Sequence, residues 1–342
     1  MKAIVFEQHG PPEVLKFIDV PQPAIKPNEV LVRVKACALN HLDLWVRQGL
    51  PGVSFPLPHI PGSDVAGEIA QIGSDVTTVR VGQKVVLAPG VSCGRCPACV
   101  SGLDNRCRQF TNLGYMIDGG CAEFVRVPEL NCLPYPENLS FEEAAAVPLV
   151  FQTAWHMLVG RAELQPGEDI LILGAGSGVG TAAIQIANFF GARVIATAGS
   201  DEKLGKAKQL GADHLINHKS QKIRDEVRRI TNKRGVDVVF EHVGTATWDD
   251  SIASLAPSGR LVTCGATTGF DAKIDLRFLF SRQLSLLGSY MGTKSELQTV
   301  LKLVAAGRLK PIVDRLFPLA EAAAAHAYLE SGSQFGKVVL RV

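Results

Sequence analysis

The sequence has almost no surplus of charge: 35 Lys and Arg against 33 Asp and Glu leave a formal net charge of +2 over 342 residues. Such a chain offers no broad field for nucleic acid or an anionic membrane, and a small-molecule partner suits it better. No apolar run reaches the roughly 18 residues of a membrane span. The start, MKAIVFEQHG, alternates like a short strand and lacks a basic segment followed by a long apolar one. These absences lead us to expect a soluble, cytoplasmic protein. Tandem repeats and low-complexity stretches are missing too. What is there is 46% hydrophobic and 20% charged, the composition of a chain that buries a large core. The length suits two domains of roughly 100 to 200 residues each.

Without an export signal, the eight cysteines point to thiols or metal ligands, because the cytosol keeps disulfides reduced. Four fall in one short stretch, as Cys93-x2-Cys96-x2-Cys99-x7-Cys107. Four soft thiolates in one loop can give Zn2+ a closed tetrahedral shell, which makes the expected site structural. Gly94 and Gly102 allow tight turns there, and Pro97 stiffens the loop. Cys37, Cys121, Cys132 and Cys264 are scattered and read as small buried apolar side chains.

From residue 1 to about 127, short alternating runs such as residues 29–35 (EVLVRVK) and 83–87 (QKVVL) are broken by Pro and Gly. This predicts an all-β barrel or sandwich. Near residue 140 the texture changes. Ser140 and Glu143 form a capping box, and residues 141–158 read as a helix that Pro148 kinks or restarts. Then six apolar runs, at 169–173, 193–197, 214–217, 236–240, 260–264 and 284–288, alternate with helical stretches. They predict an α/β fold with a doubly wound parallel sheet. The tail carries an amphipathic helix from about 297, an alanine-rich stretch at 319–329 and a last strand at 337–341. It is expected to pack back on the first domain, so that residues 1–130 and 295–342, with a zinc lobe at 90–110, flank a dinucleotide-binding domain at 131–294.

The first strand of that sheet runs directly into Gly174-Ala175-Gly-Ser-Gly178-Val179-Gly180 and a helix. Backbone amides at such a helix start can meet a pyrophosphate, and missing side chains let it approach. A strict GxGxxG fails, since its third glycine position holds Val179. NAD sites place an acid at the end of the second strand, and here the chain reads Ala198-Gly199-Ser200-Asp201-Glu202-Lys203. Gly199, Ser200 and Lys203 would suit a 2′-phosphate, so NADP(H) is the expected cofactor, with NAD possible.

These residues together resemble the medium-chain dehydrogenase/reductase family along almost the whole chain. The resemblance implies a co-chaperonin-like, partly open β-barrel beside a Rossmann domain. It also implies that Thr153, Val243, Gly244, Gly265 and Ala266 line the nicotinamide path. Zinc alcohol dehydrogenases of the family hold a second, catalytic zinc, whose ligand positions here are Asn40, Ser63 and Leu149, with Leu42 replacing a hydroxyl. The lost thiolates and histidine imply that no catalytic zinc binds. Asn40-x2-Asp43-x3-Arg47-x-Gly49 is instead similar to the quinone oxidoreductase branch, although Trp45 stands where tyrosine is common and the plainer members lack the cysteine lobe.

The expected activity is therefore hydride transfer from NADPH to a quinone or an α,β-unsaturated carbonyl. Asn40 would orient substrate or nicotinamide, Asp43 would hold the local charge network, and His41 or water would supply a proton. Two alternatives remain open. One is an alcohol dehydrogenase with an atypical metal at His41, Asp43, His59 and Asp64. The other is an NADPH-binding protein without turnover. The apolar run at 284–290 would lie at a sheet edge and favour a homodimer or homotetramer.

Overall fold

The computed structural model describes residues 1–342, which divide into two compact units, Met1–Leu149 with Thr293–Val342, and Val150–Gly292. The first boundary lies some twenty residues beyond the expected one. The helix Phe141–Ala145 packs on Glu29–Ala38, Asp64–Ile72 and Lys337–Arg341, which keeps residues 131–149 with the first unit. Pro148 restarts the expected helix: a segment Pro148–Trp155 follows and ends in a π-helical turn, His156–Arg161.

The first unit is built on a seven-stranded sheet around the long strand Glu29–Ala38. One edge of that strand is shared by Phe124–Pro128 at its start and Lys337–Arg341 at its end, while Asp64–Ile72 takes the other edge. Two register shifts along the pairing with Asp64–Ile72 bend the sheet. Its inward face buries Val30, Val32, Val34, Val65, Ile69, Val85 and Leu87. Each such side chain contributes roughly 1.5–3 kcal/mol of transfer free energy.

Register also decides what lies next to what. Ala38 pairs with Asp64 on one side and Val339 on the other, and Leu39 N–H donates to Val338 O at 2.8 Å. Asn40, Asp64 and Lys337 are thereby brought to one end of the sheet.

The second unit is a six-stranded parallel sheet in the order His214–Asn217, Arg193–Ala198, Asp169–Ile172, Val236–Glu241, Leu255–Thr263, Ser285–Gly288. All six expected strands form. Leu171, Ile195, Val239 and Leu261 are fully buried, which is why these strands read as apolar runs rather than alternating ones. No helix in the chain is long and apolar enough to cross a membrane.

Candidate active site

Asn40 follows the strand Glu29–Ala38 and caps the helix His41–Gln48. Asp43, one turn in, accepts the Asn40 N–H at 2.7 Å and the Gly62 N–H at 2.9 Å. It thus ties the turn before the helix to the turn before the strand Asp64–Ile72. Its carboxyl is fully buried, and burial pushes its pKa up to about 6 against the opposing pull of the Asn40 and Gly62 amides and the Lys337 cation.

Asp64 accepts three hydrogen bonds: from Asn40 Nδ2 at 3.0 Å, Lys337 Nζ at 2.9 Å and the Leu149 N–H at 2.8 Å. Lys337 Nζ also donates to Asn40 Oδ1 at 2.5 Å. The three side chains form a closed buried set in which both ends of the Asn40 amide are taken. The Asn40 amide thereby holds Lys337 and Asp64 in place. Lys337 was missed, because sequence reading placed it only in the closing strand.

Ser63 and Leu149 stand at the family's metal-ligand positions, yet Ser63 Oγ donates to Leu113 O at 2.7 Å and Leu149 offers only its backbone. His41 is half-buried, its ring 6.4 Å from that of Trp45. His59 is buried edge-on against Phe6 and pairs loosely with Asp118 at 3.7 Å. Hence His41, Asp43, His59 and Asp64 do not converge; the one group of three or more such ligand atoms in the chain is the four cysteines.

In that lobe the sulfurs of Cys93, Cys96, Cys99 and Cys107 all lie within 4.8 Å of one another. Gly94 and Gly102 adopt φ of 72° and 78°, and Pro97 opens the short helix Pro97–Val100 with Cys96 before it. The Cys96 and Gln109 amides donate to Cys93 Sγ and Cys107 Sγ at 3.4 and 3.3 Å. Amide donors favour thiolates, and four converging thiolates fit a structural zinc. Asp104 anchors the lobe by accepting the Lys294 ammonium at 2.9 Å.

In the second unit, the glycine loop joins Asp169–Ile172 to the helix Gly178–Phe189. Ser177 caps that helix by accepting the Gly180 N–H at 2.9 Å, leaving the Gly178 and Val179 amides without a partner in the protein. A Cβ on Gly180 would meet Gly174 O at 2.3 Å, so the helix could not sit so close to the strand with any other residue there. Val179, the departure from the usual pattern, stands in the helix's first turn. His242, unforeseen, braces the loop: its Nε2 lies 2.9 Å from Leu173 O and 3.3 Å from Ser177 Oγ.

Ala175 N–H donates to Thr197 O at 2.8 Å, fixing the loop to the next strand, which ends at Ala198 before Gly199. Ser200 caps the following helix on the Lys203 amide. Asp201 accepts Asn217 Nδ2 at 2.8 Å and Glu202 pairs with Lys206 at 2.8 Å, so both acids are engaged. His218 and Lys219 come up beside Gly199, whose added Cβ would lie 3.1 Å from each. Neither was foreseen, since only the pairing of the second and third strands puts them there.

Glu241, buried at the end of Val236–Glu241, accepts the Val243 and Gly244 amides at 2.5 and 3.1 Å and the Thr247 and Ser251 hydroxyls at 2.8 and 2.7 Å. It fixes the turn carrying Val243 and Gly244. Gly244 has φ 96°, and a Cβ there would meet Gly269 O at 2.4 Å. Gly265 and Ala266 follow the next strand, and a Cβ on Gly265 would stand 3.1 Å from His242 O. Thr153 is buried, and its Oγ1 has no partner in the protein, an orphan that a bound polar group would satisfy. These features fit a dinucleotide.

Two family models match the chain: an alcohol dehydrogenase GroES-like domain at residues 26–137 and a zinc-binding dehydrogenase at residues 178–306. A zinc-type alcohol dehydrogenase-like protein of Schizosaccharomyces pombe is 36% identical, covering 98% of this chain and 96% of its own. A quinone oxidoreductase of Rattus norvegicus is 32% identical over 99% of this chain and 97% of its own. A crystal structure of an NAD-dependent alcohol dehydrogenase superposes with a TM-score of 0.97 at 48% identity, covering all of both chains.

Proposed function

The chain belongs to the zinc-type alcohol dehydrogenase-like branch of the medium-chain dehydrogenase/reductases and is an NAD(P)-dependent oxidoreductase; on that premise we propose that it reduces a quinone or an α,β-unsaturated carbonyl with NADPH and without a catalytic metal. The observation that carries this reading is the Asn40–Asp64–Lys337 cluster. An ammonium already neutralises Asp64, and the neighbouring ligand positions hold an amide, a hydroxyl and an aliphatic chain, so a divalent cation would find no thiolate or imidazole there.

When bound, NADPH supplies the hydride. The Gly178 and Val179 amides receive the pyrophosphate, and Gly199, Ser200 and Lys203, supported by His218 and Lys219, receive the 2′-phosphate. Thr153, Val243, Gly244, Gly265 and Ala266 bound the nicotinamide path. Asp43 and Asn40 are positioning residues. His41, half-buried at the first position of its helix, or water delivers a proton to the acceptor oxygen. Electron-poor acceptors of this class need less Lewis-acid polarisation than a simple ketone does. The test is NADPH oxidation by quinones and enones across pH. No turnover with either class sinks the proposal, and tight NADPH binding without turnover would favour a non-catalytic role.

The similarity to alcohol dehydrogenases supports a second reading, oxidation of an alcohol at an atypical metal site. Metal analysis separates the two, since one zinc per chain belongs to the first reading and two to the second. A homodimer or homotetramer is proposed through the edge strand Ser285–Gly288, beside which Leu276, Phe280 and Tyr290 are 66%, 70% and 57% exposed. A monomeric mass by light scattering would exclude it.

A further inference from the structure

The second unit holds a cavity of about 450 Å³ that is basic and far in the sheet from the glycine loop. Of the residues that line it, Gly235 immediately precedes the strand Val236–Glu241 and Leu255 begins the parallel strand Leu255–Thr263. The glycine loop follows the opposite, C-terminal ends of the same sheet. A dinucleotide on that loop leaves this cavity untouched.

Five cations face the cavity, and their pairing is uneven. Arg234 is neutralised by Asp169 and Asp237 at 2.8 and 2.6 Å, and Arg224 leans on Asp225 and Asp250 at 3.6 and 3.9 Å. Arg228, Lys233 and Arg282 have no carboxylate partner. The Arg282 guanidinium lies 4.6 Å from the Phe278 ring centroid and donates to Leu255 O, which fixes its plane. Burial, and then the nearby Arg228 charge, lowers its pKa.

Backbone strain gathers at the same rim. Of six non-glycine residues with left-handed φ in the chain, Lys233 at 68° lines the cavity, and Asn232 at 51°, Gln283 at 52° and Ser258 at 62° lie next to or are bonded to residues that line it. Ser258 sits in an irregularity of its strand, and its N–H donates to Arg282 O at 2.7 Å. Each such residue costs free energy that a plain solvated surface has no reason to keep.

We propose that Arg228, Lys233 and Arg282 form a second anion site, independent of the dinucleotide, for a phosphate-bearing small molecule with at least two ionised groups. A planar guanidinium held against a ring presents a fork that matches phosphate oxygens, and Lys233 adds a point charge. The volume of about 450 Å³ is that of a small-molecule site.

The test is calorimetric titration of inorganic pyrophosphate into the zinc-loaded, NADPH-saturated protein at about 50 mM salt, where surface charges are only partly screened. One saturable equivalent is expected, weakened at least tenfold in the Arg228→Glu, Lys233→Gly double variant. Both positions are exposed, and glycine accepts the Lys233 backbone, so that variant should fold and keep its NADPH affinity. Lys203→Ala should leave pyrophosphate binding unchanged. Absence of saturable binding overturns the proposal, as does equal binding by sulfate at matched ionic strength. Loss of binding in Lys203→Ala but not in the double variant would place pyrophosphate on the dinucleotide loop, and the proposal would fall.

Discussion

The Lys337 ammonium stands 2.9 Å from the Asp64 carboxylate, with 4% and 0% of the two side chains open to water. Removing one partner of such a pair leaves the other as an uncompensated buried charge, at a cost of roughly 3–5 kcal/mol. Lys337→Met is therefore expected to lower the urea midpoint strongly. Adding Asp64→Asn should restore part of the loss, because the amide oxygen can still accept the Leu149 N–H at 2.8 Å. If the double variant is no more stable than Lys337→Met, the ion pair is not what holds this end of the sheet.

The cysteine lobe should hold one zinc per chain. Cys99→Ser leaves three thiolates, and metal content by plasma mass spectrometry should fall to a small fraction of one equivalent. Protease cutting should then open within residues 93–107, while the parallel sheet in Val150–Gly292 keeps its protection. An unchanged zinc content would refute the four-thiolate assignment.

Cofactor choice should rest on the cations around Gly199. Lys203→Ala combined with Lys219→Ala is expected to raise KM for NADPH about tenfold or more while leaving KM for NADH within about twofold, since a charge-assisted phosphate contact is worth roughly 1.5–3 kcal/mol. Equal effects on both cofactors would show that the two lysines do not meet the 2′-phosphate.

What could be read from the sequence was what lies close together in it. The cysteine lobe needs only residues 93–107, and the glycine loop needs one strand, one turn and one helix start. The six parallel strands were legible because burial on both faces makes each an apolar run. Lys337 lies 297 residues from Asn40, and only the register of Lys337–Arg341 on Glu29–Ala38 joins them. His218 and Lys219 needed the order of strands, and the capping of Val243 by Glu241 needed the turn itself. The compact units divide later than the expected boundary for a similar reason: the helix Phe141–Ala145 is helical by local signals but packs on the β unit through long-range contacts.

Two buried groups should oppose each other as the pH falls. His326 is fully buried with neither ring nitrogen hydrogen-bonded, and burial, helped by the Arg47 charge, drops its pKa from 6.5 to about 3. Its folded pKa is depressed, so its contribution is present above about pH 6.5 and is lost toward about pH 3 as the unfolded chain takes up a proton first. Asp43 has the opposite sign. Burial raises its pKa from 3.8 to about 6, so its contribution is whole below about pH 4 and is lost as the pH rises through about 6. Between pH 6 and 4 the two slopes partly cancel in the wild type, and single variants should expose them. His326→Leu should gain on the wild type by up to about 1.4 kcal/mol for each pH unit below 6, and Asp43→Asn should fall behind it over the same interval. Urea unfolding at pH 7, 6, 5 and 4.5 measures both differences, and taking each variant against the wild type at the same pH removes the shared effect of zinc release. Differences that stay constant with pH would mean that neither group titrates as its burial requires.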